Sequence, residues 1–393
     1  MNTTDPALLY HQTHAGKLGV VSLNGELTKE TLPLAYTPGV ANPSREIATN
    51  KDLAYDLTLK GRTIAVISDG SAVLGLGNIG PEAALPVMEG KSLLIKQFGG
   101  VDSFPLVIDT QDPDEIIAFV RHVAPTFAGI NLEDIAAPNC FVIEDALQDL
   151  GIPVFHDDQH GTAIVVRAAL LNAAKVVGKS YDSLKVVIIG AGAAGLSIAK
   201  MLLQSDKNPA ENSQEKSMLR VLDLIMVDSK GAIYSGRNDQ NEYKNYIAEI
   251  SNSQKIQGSA EDAIKGADVV IGVSKPGAIT VDMVKSMAPN PIVFALANPT
   301  PEIMPDQAAL AGASVISTGR SDFPNQINNV LAFPGIFRAV VLSRLTVISE
   351  EMMIAASDAI AGLVTEPTAT NIIPSVFYPG LAEVVATAVA SKK

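Results

Sequence analysis

The stretch Val186-Val-Ile-Ile-Gly-Ala-Gly-Ala-Ala-Gly195 decides the fold of this chain. Its β-branched start predicts a buried strand that ends at Gly190, and residues 196–203 carry apolar side chains at helical spacing. A strand, a G-x-G-x-x-G turn and a helix in this order are typical of a dinucleotide-binding unit. Gly190 permits the turn, Gly192 lets the backbone approach a pyrophosphate, and Gly195 allows close packing of the helix.

This loop is therefore expected to bind NAD, with NADP as a second possibility, and to place the pyrophosphate at the N-terminus of the helix. A second apolar run, residues 222–227, ends at Asp228, a residue type that accepts from ribose hydroxyls and repels a 2′-phosphate. The spacing between the glycine loop and Asp228 exceeds the usual ~20 residues. Polar residues 205–216 are interpreted as a surface insertion that accounts for the excess. Asp228 favours NAD, while Ser229 and Lys230 could accommodate NADP. The loop residues predicted to bind the cofactor are Gly190, Ala191, Gly192, Ala193, Ala194 and Gly195.

A second loop of the same form, Gly75-Leu-Gly-Asn-Ile-Gly80, lacks this context. The predicted strand at residues 63–68 does not reach it, and Pro81 and Pro86 are expected to interrupt any helix after it, so we interpret it as a loop lining a site. The Gly-Lys-Ser sequences elsewhere lack the upstream glycine of a Walker loop, which excludes a P-loop nucleotidase.

Composition limits the class of protein. The chain has 393 residues, 47% of them hydrophobic and 18% charged, which indicates an ordered globular protein of about two or three domains. A net charge of −13 argues against binding to nucleic acid or to anionic membranes. With Cys140 as the single cysteine, no secretory signal and no uninterrupted apolar stretch of ~18 residues, we expect a cytoplasmic protein without a membrane span.

The order of predicted elements indicates an α/β fold with a doubly wound parallel sheet. We expect an α/β substrate and metal domain at residues 1–160, a Rossmann-type NAD(P) domain at 161–345 and a helical tail at 346–393 that packs back on the core. Strands are predicted at 63–68, 106–109, 269–273, 292–297 and 315–317, and helices at 114–123, 163–177, 259–265 and 282–287.

Acidic residues follow two short apolar runs in the first domain. Glu133 and Asp134 follow residues 129–132, and Asp157 and Asp158 follow residues 152–155. Because the carboxyl ends of parallel strands meet at one edge of a sheet, these acids are expected to converge, and oxygen ligands favour Mg²⁺ or Mn²⁺. A solvated acidic turn is the alternative for either pair, and a zinc site built from His156 and His160 is another.

Further motifs along residues 15–340 together resemble the malic enzymes, in their short bacterial form. They are Tyr36-Thr-Pro-Gly-Val, Ser68-Asp-Gly-Ser-Ala-Val-Leu-Gly-Leu-Gly-Asn-Ile-Gly80, Glu89-Gly-Lys91, Asn131-Leu-Glu-Asp134, Phe155-His-Asp-Asp-Gln-His-Gly-Thr162, Ala297-Asn-Pro-Thr-Pro-Glu302 and Asn328-Asn-Val-Leu-Ala-Phe-Pro-Gly335. The resemblance implies an enzyme that oxidises L-malate and decarboxylates it to pyruvate, using NAD or NADP and a divalent metal. It also implies a homodimer.

The resemblance also implies roles for individual residues. Lys91 would be the general base, neutral because burial and the metal lower its pKa, with Asp157 as its charge partner; Tyr36 would be the general acid. Without the resemblance, Lys91 would be taken for a surface lysine and Tyr36 for a core residue. The implied metal ligands are Glu133, Asp134 and Asp158, and the implied substrate contacts are Ser71, Asn298 and Asn329, with Asn298 also placed near the cofactor.

One position departs from the long-form members of the family. They carry Glu-Arg where this chain has Ser71-Ala72, so a different group must bind the substrate carboxylate. Ser71, nearby backbone amides, Arg320 and Arg338 are the candidates. Two other functions stay open: an oxaloacetate decarboxylase or malolactic-type relative, and a non-catalytic metabolite-binding regulator.

Overall fold

A computed structural model describes residues 4–204 and 219–393. The surface insertion expected at residues 205–216 lies outside these residues. Two mainly parallel sheets are flanked by helices, which confirms the α/β class expected from the sequence. The first half begins with four helices, α1 (Pro6–His14), α2 (Leu32–Ala35), α3 (Ala41–Thr49) and α4 (Ala54–Leu57). It continues with β1 (Thr63–Ser68), α5 (Pro81–Gly99), β2 (Asp102–Val107), α6 (Pro113–Val123), β3 (Gly129–Leu132), α7 (Asn139–Ala146) and β4 (Val154–His156).

The first sheet has the strand order β2-β1-β3-β4, and every pair in it is parallel. Its central strand β1 is buried along its whole length. The carboxyl ends of β3 and β4 are neighbours, with Leu132 paired to His156. The acids that follow these strands therefore start from the same edge of the sheet, as the sequence predicts.

The second half begins with the long helix α8 (Asp157–Val177), which connects the two sheets. After it come β5 (Lys185–Ile189), α9 (Ala193–Leu203), β6 (Asp223–Asp228), β7 (Gly231–Ala232), α10 (Glu242–Ile250), α11 (Ala260–Ile264), β8 (Val269–Gly272), α12 (Val281–Lys285), β9 (Ile292–Ala295), α13 (Pro305–Leu310) and β10 (Val315–Thr318). The strand order is β10-β9-β8-β5-β6-β7, with only β7 antiparallel among the described residues. The strand order reverses between β5 and β8, where open α/β sheets bind their ligands.

Three helices end the chain, α14 (Phe333–Ser343), α15 (Glu350–Gly362) and α16 (Leu381–Ala390). Helix α14 packs against α16 and against α5 of the first half, and α15 packs along α8. One apolar core extends from the first sheet through α8 to these helices. The C-terminal helices thus pack against the N-terminal half of the protein and stabilise it.

Two local predictions in the first half of the chain were wrong. Strand β2 begins at Asp102 and contains Pro105, whereas we expected residues 106–109; β2 is an edge strand, where the missing N–H of proline is tolerated. Pro81 and Pro86 do not interrupt the chain after the first glycine loop, because α5 starts at Pro81 and continues through Pro86. Pro81 lies in the first helical turn, whose N–H groups have no partner within the helix, whereas Pro86 lies inside the helix.

Helix α8 is long and apolar enough to cross a membrane by length and composition, although no membrane span was expected from the sequence. In the structure 67% of the apolar 18-residue stretch of this helix is buried inside the protein. It packs against α9 and α15 and carries acidic residues in its first turn. These contacts are those of a core helix that connects the two sheets.

Candidate active site at the first turn of helix α8

The first turn of α8 carries Asp157 and Asp158. The sequence predicted a helix only from residue 163, but α8 begins directly after β4. Acidic side chains stabilise a helix N-terminus, and this outweighs the weak apolar pattern of the first turn. A Cβ atom on Gly161 would lie 1.9 Å from Asp157 Oδ1, so only glycine leaves room for that carboxylate on the helix.

Lys91 meets these acids from helix α5. Its Nζ lies 2.6 Å from Asp157 Oδ2 and 2.8 Å from Glu133 Oε1, and 4.2 Å from the centroid of the Phe333 ring. The residue is 7% exposed, so it is not the surface lysine that the sequence alone would suggest. The pairing of Lys91 with Asp157 is the charge partnership that the resemblance implied.

The charges around Lys91 determine its protonation. Burial alone would lower the pKa of the Lys91 ammonium, but Asp157, Glu133 and Asp158 outweigh burial and raise the pKa above its usual value. This is opposite to the lowered pKa expected from the sequence, because the carboxylates that were expected to bind a metal act directly on Lys91. Burial, opposed by Lys91 and reinforced by the other acids, raises the pKa of the Glu133 carboxyl.

Glu133, Asp134 and Asp158 form one compact cluster. One carboxylate oxygen from each lies within 4.8 Å of the others, and it is the one such group of metal-binding residue types found among the described residues. The amide of Asp134, which has a φ of 54°, donates to Asp158 Oδ2 at 2.9 Å and fixes the two acids relative to each other. Three closely spaced carboxylates offer only oxygen donors, and such donors fit a hard divalent cation such as Mg²⁺ or Mn²⁺.

The two histidines do not join this cluster. His160 Nε2 lies 3.0 Å from both oxygens of Glu144, and the Glu144 carboxylate also accepts from the amide of His156. Both ring nitrogens of His156 are buried without a hydrogen-bond partner in the described part of the chain. The geometry therefore favours the oxygen-ligand site over the zinc alternative.

Three contacts locate the implied substrate residues relative to the first glycine loop and helix α8. A Cβ on Gly75 of the first glycine loop would lie 2.3 Å from the carbonyl oxygen of Asn298, so the loop packs directly on that residue. The Cβ of Asn329 lies 3.1 Å from the position of a Cβ on Gly161, beside the first turn of α8. Ser71 Oγ donates to Asp69 Oδ1 at 2.6 Å and accepts from the Ala136 amide at 2.8 Å.

These contacts narrow the search for the group that binds the substrate carboxylate. Ser71 uses its hydroxyl to hold the loop against the segment after β3. Arg320 is paired with Asp322, and Arg338 donates to the Gly99 carbonyl and pairs with Glu383. In the first glycine loop and just before it, the amides of Val73, Leu76, Ile79 and Gly80 already donate to backbone carbonyls, so the remaining amides of that loop are the candidates that these contacts leave in place.

Tyr36 is not among the hydrogen-bond or ion-pair partners of Lys91 in the described part of the chain, which are Asp157 and Glu133. It follows helix α2 in the N-terminal segment and is 67% exposed. Val20, Val21 and Leu34 of the same segment are also exposed, at 87%, 75% and 75%. The expectation of a core residue, drawn from the sequence without the resemblance, was therefore wrong for Tyr36.

The nucleotide loop has the geometry expected from its glycines. Gly190 has a φ of 126°, and a Cβ on Gly195 would lie 1.9 Å from the Gly190 carbonyl oxygen. A Cβ on Gly192 would meet nothing within 4 Å, which leaves the loop open to a ligand on that side. Helix α9 starts at Ala193, earlier than the predicted residue 196, so its free N–H groups belong to the loop itself.

A cavity of about 1160 Å³ extends from Gly190 and Ala191 to Asp228 at the end of β6. Sequence reasoning placed Asp228 here but missed its partners: Arg237 Nη2 lies 2.9 Å from Asp228 Oδ1, and Lys244 Nζ lies 2.7 Å from Oδ2. Basic residues after the second strand of a nucleotide domain are a known signal for a 2′-phosphate, and this signal was available in the sequence.

Comparisons with known proteins agree with this geometry. The family model described as "Malic enzyme, N-terminal domain" matches residues 16–148, and that described as "Malic enzyme, NAD binding domain" matches residues 159–392. The bifunctional malic/malolactic enzyme of Bacillus subtilis (strain 168) is 54% identical over 99% of this chain and 93% of its own length. An NADP-dependent malic enzyme of Halomonas elongata is 49% identical over 92% of this chain and 82% of its own. The crystal structure of an NAD-dependent malic enzyme from Thermotoga maritima matches with a TM-score of 0.91 and 45% identity, covering 98% of this chain and 99% of that one.

Proposed function

This chain belongs to the malic enzyme family of NAD- or NADP-dependent oxidoreductases, and on that premise we propose that it converts L-malate to pyruvate and CO₂. The observation that carries this proposal is the buried Lys91, paired with Asp157 and placed beside three clustered carboxylates. That arrangement supplies a proton acceptor and a cation site at one point, and both are needed to oxidise a 2-hydroxy acid.

Each of these residues has a separate role in the proposed reaction. Glu133, Asp134 and Asp158 would hold Mg²⁺ or Mn²⁺, which when bound polarises the C2 oxygen of the substrate, while the nicotinamide when bound accepts the hydride from C2. Once Glu133 and Asp158 serve as ligands, Asp157 alone remains to hold the Lys91 ammonium. Burial and the bound cation would then favour the neutral amine of Lys91, and this amine accepts the proton of the C2 hydroxyl as the general base.

Asn298 and Asn329 are proposed to orient the substrate and the nicotinamide end of the cofactor, and backbone amides of the Gly75 loop to bind a carboxylate. The contact of Gly75 with Asn298 and the position of Asn329 beside Gly161 support these roles. Tyr36 is proposed to protonate C3 of the enol of pyruvate after CO₂ has left.

Tyr36 reaches the site, in this proposal, from a second copy of the chain. Its exposure and that of Val20, Val21 and Leu34 leave an apolar N-terminal arm, residues 18–40, uncovered on the single chain. Exposed apolar surface of this kind is typical of interfaces between subunits. We therefore propose a homodimer in which each arm completes the partner's site, and the cytoplasm remains our prediction for its location.

A spectrophotometric assay tests the proposed reaction. The purified protein with L-malate, Mn²⁺ and NAD⁺ or NADP⁺ should raise the absorbance at 340 nm, with pyruvate formed in equal amount. Lys91→Ala should abolish this reduction because no proton acceptor remains. Tyr36→Phe should instead slow the exchange of tritium at C3 of pyruvate; exchange at the wild-type rate would remove Tyr36 from the role of acid.

A malolactic reaction is the second candidate, because one relative at 54% identity is named a bifunctional malic/malolactic enzyme. The same base, acid and metal ligands would serve if NADH stayed bound and reduced the pyruvate to lactate. Product analysis separates the two reactions: pyruvate with net cofactor reduction supports the malic reaction, and lactate without it supports the malolactic one.

A further inference from the structure

Glu302 is a fully buried acid that has no role in the reaction proposed above. Its Oε1 accepts from the Ser274 amide at 2.7 Å, and its Oε2 accepts from the Ala297 amide at 3.0 Å. Burial raises the pKa of the Glu302 carboxyl, and these two amides oppose the rise. A buried carboxylate costs free energy unless hydrogen bonds compensate for its lost hydration, so the two backbone amides hold Glu302 in this position.

The two amides belong to different loops of the second sheet. Ser274 follows β8 and Ala297 follows β9, and the two strands are parallel neighbours. The main-chain carbonyl of Glu302 also accepts from the Ile279 amide at 3.3 Å, so Glu302 binds residues 273–279 at two points. One residue thus ties together the carboxyl ends of β8 and β9, next to the reversal of strand order where open α/β sheets bind their ligands.

Gly272, the last residue of β8, leaves the space for this carboxylate. A Cβ there would lie 2.6 Å from Cδ of Glu302 and 2.9 Å from its Oε2, so the carboxylate would have to move. Such a movement would take it away from one or both of the amides that it bridges. The bridge therefore depends on two positions, Gly272 and Glu302, that lie far apart in the sequence.

The two loops carry residues of the nucleotide cavity and of the proposed substrate site. Ser274 and Lys275 line the cavity of about 1160 Å³. Ala297 directly precedes Asn298, whose Nδ2 lies 2.7 Å from the position of a Cβ on Gly319. Because the Asn298 side chain is confined in this way, it follows the backbone that carries it. A shift of the Ala297 amide relative to Ser274 would therefore move Asn298 relative to the wall of the cavity.

We propose that Glu302 is a positioning residue, which fixes Asn298 relative to the wall of the nucleotide cavity and so holds the substrate and the nicotinamide in register. This inference rests on the proposed function, and it assigns Glu302 to act through Asn298 rather than on a reactant. Transfer of a hydride depends on the distance and direction between the two reacting carbons, and a misplacement of about 1 Å costs roughly a hundredfold in rate. A bridge between the loop that lines the cavity and the loop that carries Asn298 controls this distance.

Glu302→Gln tests the bridge, because a carboxamide has the shape of a carboxylate but a single oxygen. One loop amide then faces an NH₂ group, and one of the two hydrogen bonds is lost. Binding of NADH and of ADP-ribose, measured by calorimetry, reports on the nicotinamide end of the cofactor without any turnover, and neither probe carries a 2′-phosphate. The wild-type protein should bind NADH at least about tenfold more tightly than ADP-ribose. Glu302→Gln should bring the two affinities within about threefold of each other, chiefly by weakening NADH.

The kinetic readout is kcat. Glu302→Gln should lower kcat for malate oxidation at least about tenfold at saturating substrates, because bound reactants are no longer held in register. Glu115→Gln is the matched control, because Glu115 is an exposed acid of α6 that accepts from the Thr110 hydroxyl and does not line the cavity. It should keep the wild-type kcat and both affinities.

Three results would overturn the proposal: equal binding of both probes by the wild-type protein, an unchanged ratio of affinities in folded Glu302→Gln, or equal weakening of both probes. Should Glu302→Gln fail to fold by circular dichroism, Gly272→Ala must change the ratio in the same way, since its Cβ displaces the carboxylate without removing it. Failure of both variants to fold would assign Glu302 to the fold itself and would also overturn the proposal. Absence of malate oxidation by the wild-type protein would contradict the proposed function, whereas the ratio of affinities decides this inference by itself.

Discussion

Of the three clustered carboxylates Glu133, Asp134 and Asp158, the charge of Asp158 can be removed with the least disturbance of the structure. It is partly exposed in the first turn of α8, and its Oδ2 accepts from the Asp134 amide, a contact that the oxygen of asparagine can also make. Asp158→Asn should therefore fold normally and bind Mn²⁺ at least about tenfold more weakly, because one anionic ligand is lost.

Titration of the EDTA-treated protein with Mn²⁺ measures this change. EDTA should stop malate oxidation, and Mn²⁺ or Mg²⁺ should restore it. Asp149→Asn, on an exposed acid paired with Arg121, is the control and should keep the wild-type affinity. Full activity after exhaustive chelation would refute the metal site.

Cys140 differs from reactive cysteines in its surroundings. It is buried in α7, and burial, with the charges of Glu144 and Asp158, raises the pKa of its thiol to about 12. At pH 8 the thiolate fraction is then roughly 10⁻⁴, compared with about a quarter for an ordinary thiol. Ellman's reagent should therefore report one thiol per chain in guanidinium and almost none in the native protein. Complete labelling of the native protein within minutes would contradict this environment.

At the scale of elements, the crossing of α14 and α16 depends on Gly335. A Cβ there would lie 2.5 Å from the Cβ of Val385 and 2.9 Å from the Ala382 carbonyl oxygen, so the two helices would have to separate. We expect Gly335→Ala to lower the free energy of unfolding by about 1–3 kcal/mol, the cost of overpacking a core. Denaturant titration with fluorescence or circular dichroism measures this loss.

Gly362 at the end of α15 is the matched control. A Cβ there would meet nothing within 4 Å, and the residue is helical. Gly362→Ala should raise the free energy of unfolding by about 0.4–1 kcal/mol, because alanine restricts the unfolded chain. Equal effects of the two substitutions would show that helix propensity, rather than the close crossing, sets the stability at Gly335.

The elements that depend on local chemistry were predictable from the sequence, and those that depend on distant contacts were not. The strand, loop and helix around Gly190 are specified by adjacent residues, and the structure has them. Strand β2 was misplaced because only its edge position makes Pro105 acceptable. The start of α8 was missed because its first turn is stabilised by charge rather than by an apolar face.

The same distinction holds within the site. Glu133, Asp134 and Asp158 were predicted to meet because parallel strands end at one edge, and they do cluster. The neutralisation of Asp228 was not predicted, because Arg237 and Lys244 reach it from the loop after β7 and from α10. The basic residues themselves are visible in the sequence, but their approach to Asp228 depends on how those segments fold over the sheet, which residue spacing alone does not reveal.

At the scale of the whole molecule, the proposed base and the proposed acid differ in their surroundings on the single chain. Lys91 is buried among its acids, while Tyr36 is exposed on the N-terminal arm, residues 18–40. A second copy that covers this arm would bury its apolar side chains and, in the proposed mechanism, bring Tyr36 to the site as the general acid. We expect the molar mass measured by light scattering to be twice the 41.2 kDa mass of the chain.

Subunit mixing distinguishes an acid from the partner chain from one supplied within the chain. Tyr36→Phe and Lys91→Ala homodimers should each be inactive in the full reaction. After exchange of subunits, each heterodimer holds one site with both Lys91 and Tyr36 intact and one site that lacks both. The mixture should therefore regain activity approaching a quarter of the wild-type value, since about half of randomly mixed dimers are heterodimers with one working site each. If labelled subunits demonstrably exchange and activity stays at the level of the parent variants, both residues act within one chain, and the arm then has to fold back onto its own site.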